Sequence, residues 1–471
     1  MAHAPLTRRC WFNATAVGQA TAGAMLAATL LWAPAAASAG VPPGYAIIIS
    51  AATRTDPAWA EVIAALEATH RDRGTAVIEW RESVAETAAP LAAALPRHAC
   101  FVARPQEAGR EFVASVHRLA RSLDADPYGD VLWGILTGFD AANALAIAST
   151  AEPLVVKRVT SGTELAMDRV GEGEWYCEVR KNRMGRKQAG GTAEELHGPD
   201  DTTAALAARL TDGVTDLFVT SGHATERDWQ IGFRYENGHF RSQAGRLVGI
   251  DTAGTRIPIE SANPKIWLPI GNCLAGHIDG PDALALAFMN GCGVRQMIGY
   301  TVPTWFGYAG WGCLDYFVEQ PGRFTLCEAF HANHHALVHR LETNAAPEAN
   351  RGLRFDRDVL AFYGDPAWEA RMADGPLQFR QTLTERDGVF TLEVAPLDGP
   401  RSYAPVNTNG SQRGGRPIVH FLPRRLADVE IVAGGERHPL VTDTFVLVPL
   451  PAADSIETVR VSFRERAPAG R

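Results

Sequence analysis

From Tyr45 onward, short apolar runs alternate with segments whose apolar residues recur at helical spacing. Ala46-Ile47-Ile48-Ile49 reads as a strand buried on both faces. Asp56-Pro57 follows as an N-cap with proline at the first helical position. Trp59, Val62, Ile63 and Leu66 fall at i, i+3, i+4 and i+7, and Gly74 is the expected stop. Thr75 to Trp80, Ala99 to Ala103 and Val131 to Thr137 are further strands, and Phe112, Val116, Leu119 and Leu123 mark another helix. Such alternation predicts an α/β fold built on a doubly wound sheet. The periodicity weakens between Thr150 and Asp201. Arg180 to Lys187 carries five positive charges in eight residues, the pattern of a solvated loop or an exposed processing site.

Two further runs are matched in design. Thr215 to Ser221 delivers Gly222-His223-Ala224, and Lys265 to Ile270 delivers Gly271-Asn272-Cys273. Side chains emerging where an apolar strand ends stand at the sheet edge where open α/β folds place their sites. The separation of fifty positions from His223 to Cys273 leaves room for a helix or hairpin joining neighbouring strands. An imidazole beside a thiol promotes thiolate formation and can protonate a leaving amine, so the pair is a candidate nucleophile and general acid–base. Pro269 sits awkwardly in a central strand because it lacks a ladder donor, which predicts an early strand end.

After Cys273, a helix over Asp282 to Asn290 and a strand over Val294 to Tyr300 are expected. Thr301 to Gly312 interleaves aromatics with glycines, which predicts a groove-lining loop rather than a regular helix. Thr325-Leu326-Cys327-Glu328 is a capping box. The helix it opens carries His331, His334, His335 and His339, two i, i+4 pairs; an exposed polar face is the expectation, and a metal centre the sharper alternative, with no H-E-x-x-H pattern to support it. Beyond Leu377 the period changes to two. Leu377 to Leu383, Val389 to Val394, Ile418 to Leu422, Val429 to Val432, Thr444 to Val448 and Thr458 to Phe463 read as the short strands of a β-sandwich.

Composition narrows the class. The chain has 471 residues, 46% apolar and 21% charged, enough for two or three cores. A formal charge of −8 argues against nucleic acid as a partner. Arg8-Arg9, the apolar Ala20 to Trp32 and Ala37-Ser38-Ala39 form an export signal over residues 1–39, with a partial twin-arginine pattern at Thr7 to Phe12. The expected destination is the periplasm, cell surface or extracellular space. No later run is long enough to span a membrane. Six cysteines follow the signal: Cys100, Cys177, Cys273, Cys292, Cys313 and Cys327. No C-x-x-C pair is among them, so a cysteine-held zinc is not expected, and no other metal or cofactor is implied.

The strand ending in Ser-Gly-His223-Ala224, followed by one ending in Gly-Asn272-Cys273, resembles the gingipain-like cysteine peptidases of the caspase and legumain clan. In those enzymes the first strand ends in His-Gly and the second in Ala-Cys, so Ala224 and Asn272 are departures. Ile298 to Trp305 is similar to the family segment whose tryptophan walls the specificity pocket, and Gly364-Asp365-Pro366 resembles a signature near the end of the catalytic domain. The resemblance implies a two-subdomain caspase/gingipain-like sheet, residues 40–150 and 151–375, followed by an immunoglobulin-like module over 376–471. It implies Cys273 as nucleophile and His223 as acid–base, working as a dyad. It further implies an oxyanion hole from the amides of Ala224 and Cys273, a substrate wall at Thr304 and Trp305, and a protein or peptide substrate. A silent peptide- or envelope-binding relative is the rival. Asp228 and Asp279 are acidic residues near the dyad in sequence that would suit basic side chains if they lined the site.

Overall fold

The computed structural model describes residues 44–466 except 345, 347–349 and 409–411. The export signal expected at 1–39 lies outside the described residues. Among those described, no helix is long and apolar enough to cross a membrane.

One mixed sheet of twelve strands organises the chain. At one end stand Thr75–Trp80, Tyr45–Ser50, His98–Val102 and Leu132–Leu136, all parallel. The order then passes through Leu360–Tyr363, Val294–Tyr300, Lys265–Pro269, Leu217–Thr220 and Arg158–Ser161, and ends in Glu172–Tyr176, Arg183–Lys187 and Ala193–His197. Leu360–Tyr363 runs antiparallel to Val294–Tyr300 and parallel to Leu132–Leu136, so it joins the two halves. The central strands are buried throughout, as runs without alternation require when both faces are covered.

Asp365, in the Gly-Asp-Pro segment that follows the joining strand, locks that junction. Its carboxylate accepts from Tyr45 Oη at 2.9 Å and from the Ala367 amide at 3.0 Å, and lies 2.6 Å from His70 Nε2, whose ring stacks on Tyr45 with centroids 4.2 Å apart. Each oxygen of this buried carboxylate thus has a partner from the chain's first strand–helix unit, which is what makes its burial tolerable.

Several expectations are corrected. The basic run is a bend and turn only over Arg180 to Asn182. Arg183–Lys187 is a strand, with Arg183 paired to Glu164 and Glu195, and Arg186 to Glu174. The aromatic and glycine segment becomes helical at Tyr308, and Tyr308–Phe317 is buried along its length. The histidine face of Leu326–Thr343 is not exposed either. His331, His334 and His335 are buried against the first half of the sheet and the C-terminal strands. His331 Nε2 lies 2.8 Å from the Trp133 amide nitrogen, His334 Nε2 lies 3.2 Å from an Arg121 nitrogen, and His335 stacks on Phe445 at 4.0 Å. These imidazoles serve packing and hydrogen bonding within the core.

The C-terminal strands expected from the period of two are all present. They form a four-stranded sheet with Phe379–Arg386 at one edge and a three-stranded sheet centred on Phe445–Val448. Phe390, Leu392, Val446 and Phe463 share a core of their own, while Val419, Phe445 and Leu447 join the main one.

Burial pushes the pKa of His117 down to about 4 and that of His331 to about 3, and lowers those of His334 and His335 strongly. A base depressed in the fold contributes stability that is present above its unfolded pKa, near 6.5, and is lost as pH falls below it. The loss is about 1.4 kcal/mol per pH unit for each such histidine. Buried Asp130, Glu319 and Asp356, raised to about 7, 8 and 6 by burial, oppose this trend, so a differential measurement isolates the histidines. His335→Phe keeps a ring against Phe445, and the gap in urea midpoint between pH 7.5 and 5 should be smaller than in wild type. An unchanged gap would show that His335 titrates alike in the folded and unfolded states.

Candidate active site

Leu217–Thr220 and Lys265–Pro269 pair in parallel, with Thr220 opposite Pro269. Proline is accommodated because it is the last residue of its strand, and the next amide, Ile270 N, donates to Thr220 O at 3.0 Å. His223 and Cys273 therefore leave the sheet at one edge, three and four residues past a paired position. The four-stranded antiparallel sheet from Asp228 to Ile259 lies between them in the chain.

Each loop has a defined turn. Gly222 adopts φ +91°, a conformation that glycine reaches without strain, and Leu274 adopts φ +58°, one that costs a bulky residue energy. Leu274 is held there by its amide donating to Val302 O at 3.1 Å and by Gly276 N donating to Tyr300 O at 2.9 Å. Strain beside a half-buried thiol is the arrangement expected where surrounding structure fixes a functional side chain. Cys273 Sγ donates to the Thr304 carbonyl at 3.4 Å, which brings the Thr304–Trp305 segment to the cysteine. Trp305 is 57% exposed, with Phe306 and Phe355 at 5.6 and 5.7 Å and the Arg351 guanidinium 5.9 Å from its ring centroid.

His223 is exposed and its ring lies 4.6 Å from that of Phe233. Phe233 is itself 41% exposed, and its amide donates to the Glu178 carbonyl. Phe233 thus stands beside the imidazole, and Trp305 is the residue after the carbonyl that meets the thiol. Ala224 forms a single antiparallel bridge with Trp229. The ladder bonds on either side, Gln230 N to His223 O and Thr225 N to Asp228 O, make it a non-hydrogen-bonded pair, so the Ala224 amide faces away from that hairpin. Among the described residues, neither the Ala224 nor the Cys273 amide has a hydrogen-bond acceptor.

Behind the cysteine loop, Gly310 lets the Tyr308–Phe317 helix approach the strand end, because a Cβ there would sit 1.9 Å from Ile270 O. Asp356 accepts from Ala309 N at 2.9 Å and Tyr300 Oη at 3.2 Å, and burial raises its pKa to about 6. Asp228 and Asp279 do not offer a free negative charge. Asp279 is held by both terminal nitrogens of Arg227, and Asp228 by Arg241. Sequence reasoning missed Phe233, and it noted Asn272 only as a departure. An aromatic among glycines ten residues past His223 was the available signal for the first.

No family model matches the chain, and no curated protein matches it. Two solved structures resemble it at 11% identity and a TM-score of 0.45, each over 88% of this chain. One is the Arg-specific cysteine proteinase gingipain R, covered over 95% of its length; the other is a complex of RgpB pro- and mature domains from Porphyromonas gingivalis, covered over 97%. So loose an overlap does not bear on chemistry.

All six cysteines described are free, and all but Cys273 are buried. Burial raises the thiol pKa of Cys100, Cys292, Cys313 and Cys327, with Cys292 at about 12. Brief treatment of the native protein with iodoacetamide should therefore modify Cys273 first, with the others reacting only in denaturant. Peptide mass mapping reads the outcome, and faster native modification at Cys100 or Cys177 would contradict it.

Proposed function

We propose that the protein is an exported cysteine peptidase in which Cys273 and His223 act as a dyad. The observation that carries this reading is the register: Thr220 paired with Pro269 sends an imidazole and the most accessible of the described cysteines off the same sheet edge on adjacent strands. In this reading His223 accepts the thiol proton, and the Cys273 thiolate attacks the scissile carbonyl. The tetrahedral oxyanion is received by the Ala224 and Cys273 amides, which have no acceptor among the described residues. His223 then protonates the departing amine as the thioester forms, and removes a proton from the water that hydrolyses it.

The substrate is a protein or peptide, lying between Phe233 and Trp305. Both are exposed aromatic faces that an apolar group of the substrate would cover. The finer layout belongs to the same proposal: an N-terminal α/β subdomain over 40–150, a catalytic one over 151–375 and an immunoglobulin-like sandwich over 376–471. The signal at 1–39 would direct export.

Cys273→Ala should abolish peptide cleavage while peptide binding survives, because the groove remains when the thiol is removed. Trp305→Ala should lower kcat/KM by the equivalent of about 1 to 3 kcal/mol, the scale for one apolar side chain packed on the ring. Chelator should leave the rate unchanged. Wild-type protein that binds peptides but cleaves none across a broad library, with Cys273→Ala indistinguishable from it, would instead establish a binding protein.

A further inference from the structure

Next to the Ile270 N to Thr220 O ladder bond, the side chain of Asn272 ties the backbone leading into His223 to the residue before Cys273; farther along the same two segments, Arg227 pairs with Asp279 and Leu284 N donates to Glu226 O. The Asn272 side chain precedes the nucleophile and is fully buried. Its oxygen lies 2.7 Å from Thr220 Oγ1 and its nitrogen 3.1 Å from the Gly222 carbonyl.

Chemistry fixes which end of the amide faces which group. The Trp267 indole is only a donor, and its Nε1 lies 3.1 Å from Thr220 Oγ1. The Thr220 hydroxyl accepts that bond, so its own proton is free to go to Asn272 Oδ1. The Asn272 NH2 group then has to face the Gly222 oxygen, which can only accept. Trp267 is itself immobilised, stacked on Phe288 with centroids 3.7 Å apart. The relay runs from a rigid indole, through a hydroxyl and an amide, to the carbonyl of the residue before His223.

We propose that Asn272 is a positioning residue that sets the distance and angle between His223 and Cys273. The inference rests on the dyad reading. Gly222 lies at φ +91° and has many alternative conformations; its neighbours Ser221 and His223 are held through their carbonyls by Trp229 Nε1 and Gln230 N, and the Asn272 bond fixes the carbonyl of Gly222 itself. Asn272 ties that backbone to the residue leading into Cys273. A misplacement of about 1 Å between reacting groups costs on the order of a hundredfold in rate.

The test uses two variants of the full-length protein, assayed for peptide cleavage and for iodoacetamide alkylation of Cys273 from pH 5 to 9, with thermal unfolding in parallel. Asn272→Ala removes both bonds, and kcat should fall about tenfold to a hundredfold with little change in KM. Asn272→Asp gives a reversible readout within one sample. Its carboxylate has only acceptors and repels the Gly222 carbonyl; its protonated form has one acceptor and one O–H donor, the pattern of asparagine. The ratio of the Asn272→Asp rate to the wild-type rate should therefore rise as pH falls. Variants that lower Tm yet keep wild-type kcat, with a ratio independent of pH, would overturn the proposal and leave Asn272 a structural tie. If His223→Ala leaves wild-type alkylation unchanged at every pH, the dyad reading fails and this inference with it. Alkylation that depends on His223 but not on Asn272 sinks this inference alone.

Discussion

Parallel pairing of Leu217–Thr220 with Lys265–Pro269, in one register, is the constraint on which the candidate site depends. The side-chain period of a strand is two, so a slip by one residue would exchange the faces of every side chain and move Cys273 relative to His223. Aromatic packing opposes such a slip. Phe218 lies within 5.7 to 6.3 Å of Trp229, Phe240 and Phe288, and Trp267 stacks on the same Phe288. At the other end of the cysteine strand, the buried Lys265 ammonium is held by Ser261 Oγ at 3.0 Å, Asn263 O at 2.7 Å and the Cys292 carbonyl. Burial lowers its pKa to about 8, and three acceptors compensate part of the cost of removing it from water.

The loop bearing the cysteine is supported from behind by residues distant in sequence. The Tyr308–Phe317 helix lies against the strand end, and the guanidinium of Arg416 sits 3.6 Å over Tyr308 while bonding Asp315 at 2.8 Å. Arg413 lies 5.1 Å over Trp311 and pairs with Glu319. Both arginines precede the Ile418–Phe421 strand, so the C-terminal sheets contribute to the backing of the cysteine loop as well as holding a core of their own. Removing either partner of these buried pairs would leave an uncompensated charge, which is more costly than forgoing the pair altogether.

The chain's alternation of strand and helix was legible, as were the two strand ends, because buried parallel strands are continuous apolar runs and their termini are marked by glycine. Three features were not, for a common reason. Four histidines on one helix look polar, but a neutral imidazole with a partner can be buried, and partners such as Trp133 and Arg121 lie some two hundred residues away in the chain. Glycines at 310 and 312 argue against a helix by propensity, yet close approach to Ile270 and Asn333 requires them. The basic run looks like a solvated loop until Glu164, Glu174 and Glu195 are placed beside it. The polar tie at Asn272 was hidden in the same way. Nothing local to it names Thr220 or Gly222 as partners.

The central claim is that one sheet edge assembles a nucleophile, an acid–base and an oxyanion site. A crystal structure of the protein after reaction with a peptidyl chloromethyl ketone tests it most directly. The account predicts a thioether at Cys273 Sγ, the ligand's carbonyl oxygen within hydrogen-bond distance of the Ala224 and Cys273 amides, the His223 ring beside the sulfur, and the peptide between Phe233 and Trp305. Attachment at another residue, or a Cys273 adduct with His223 turned away and its carbonyl oxygen in solvent, would contradict it.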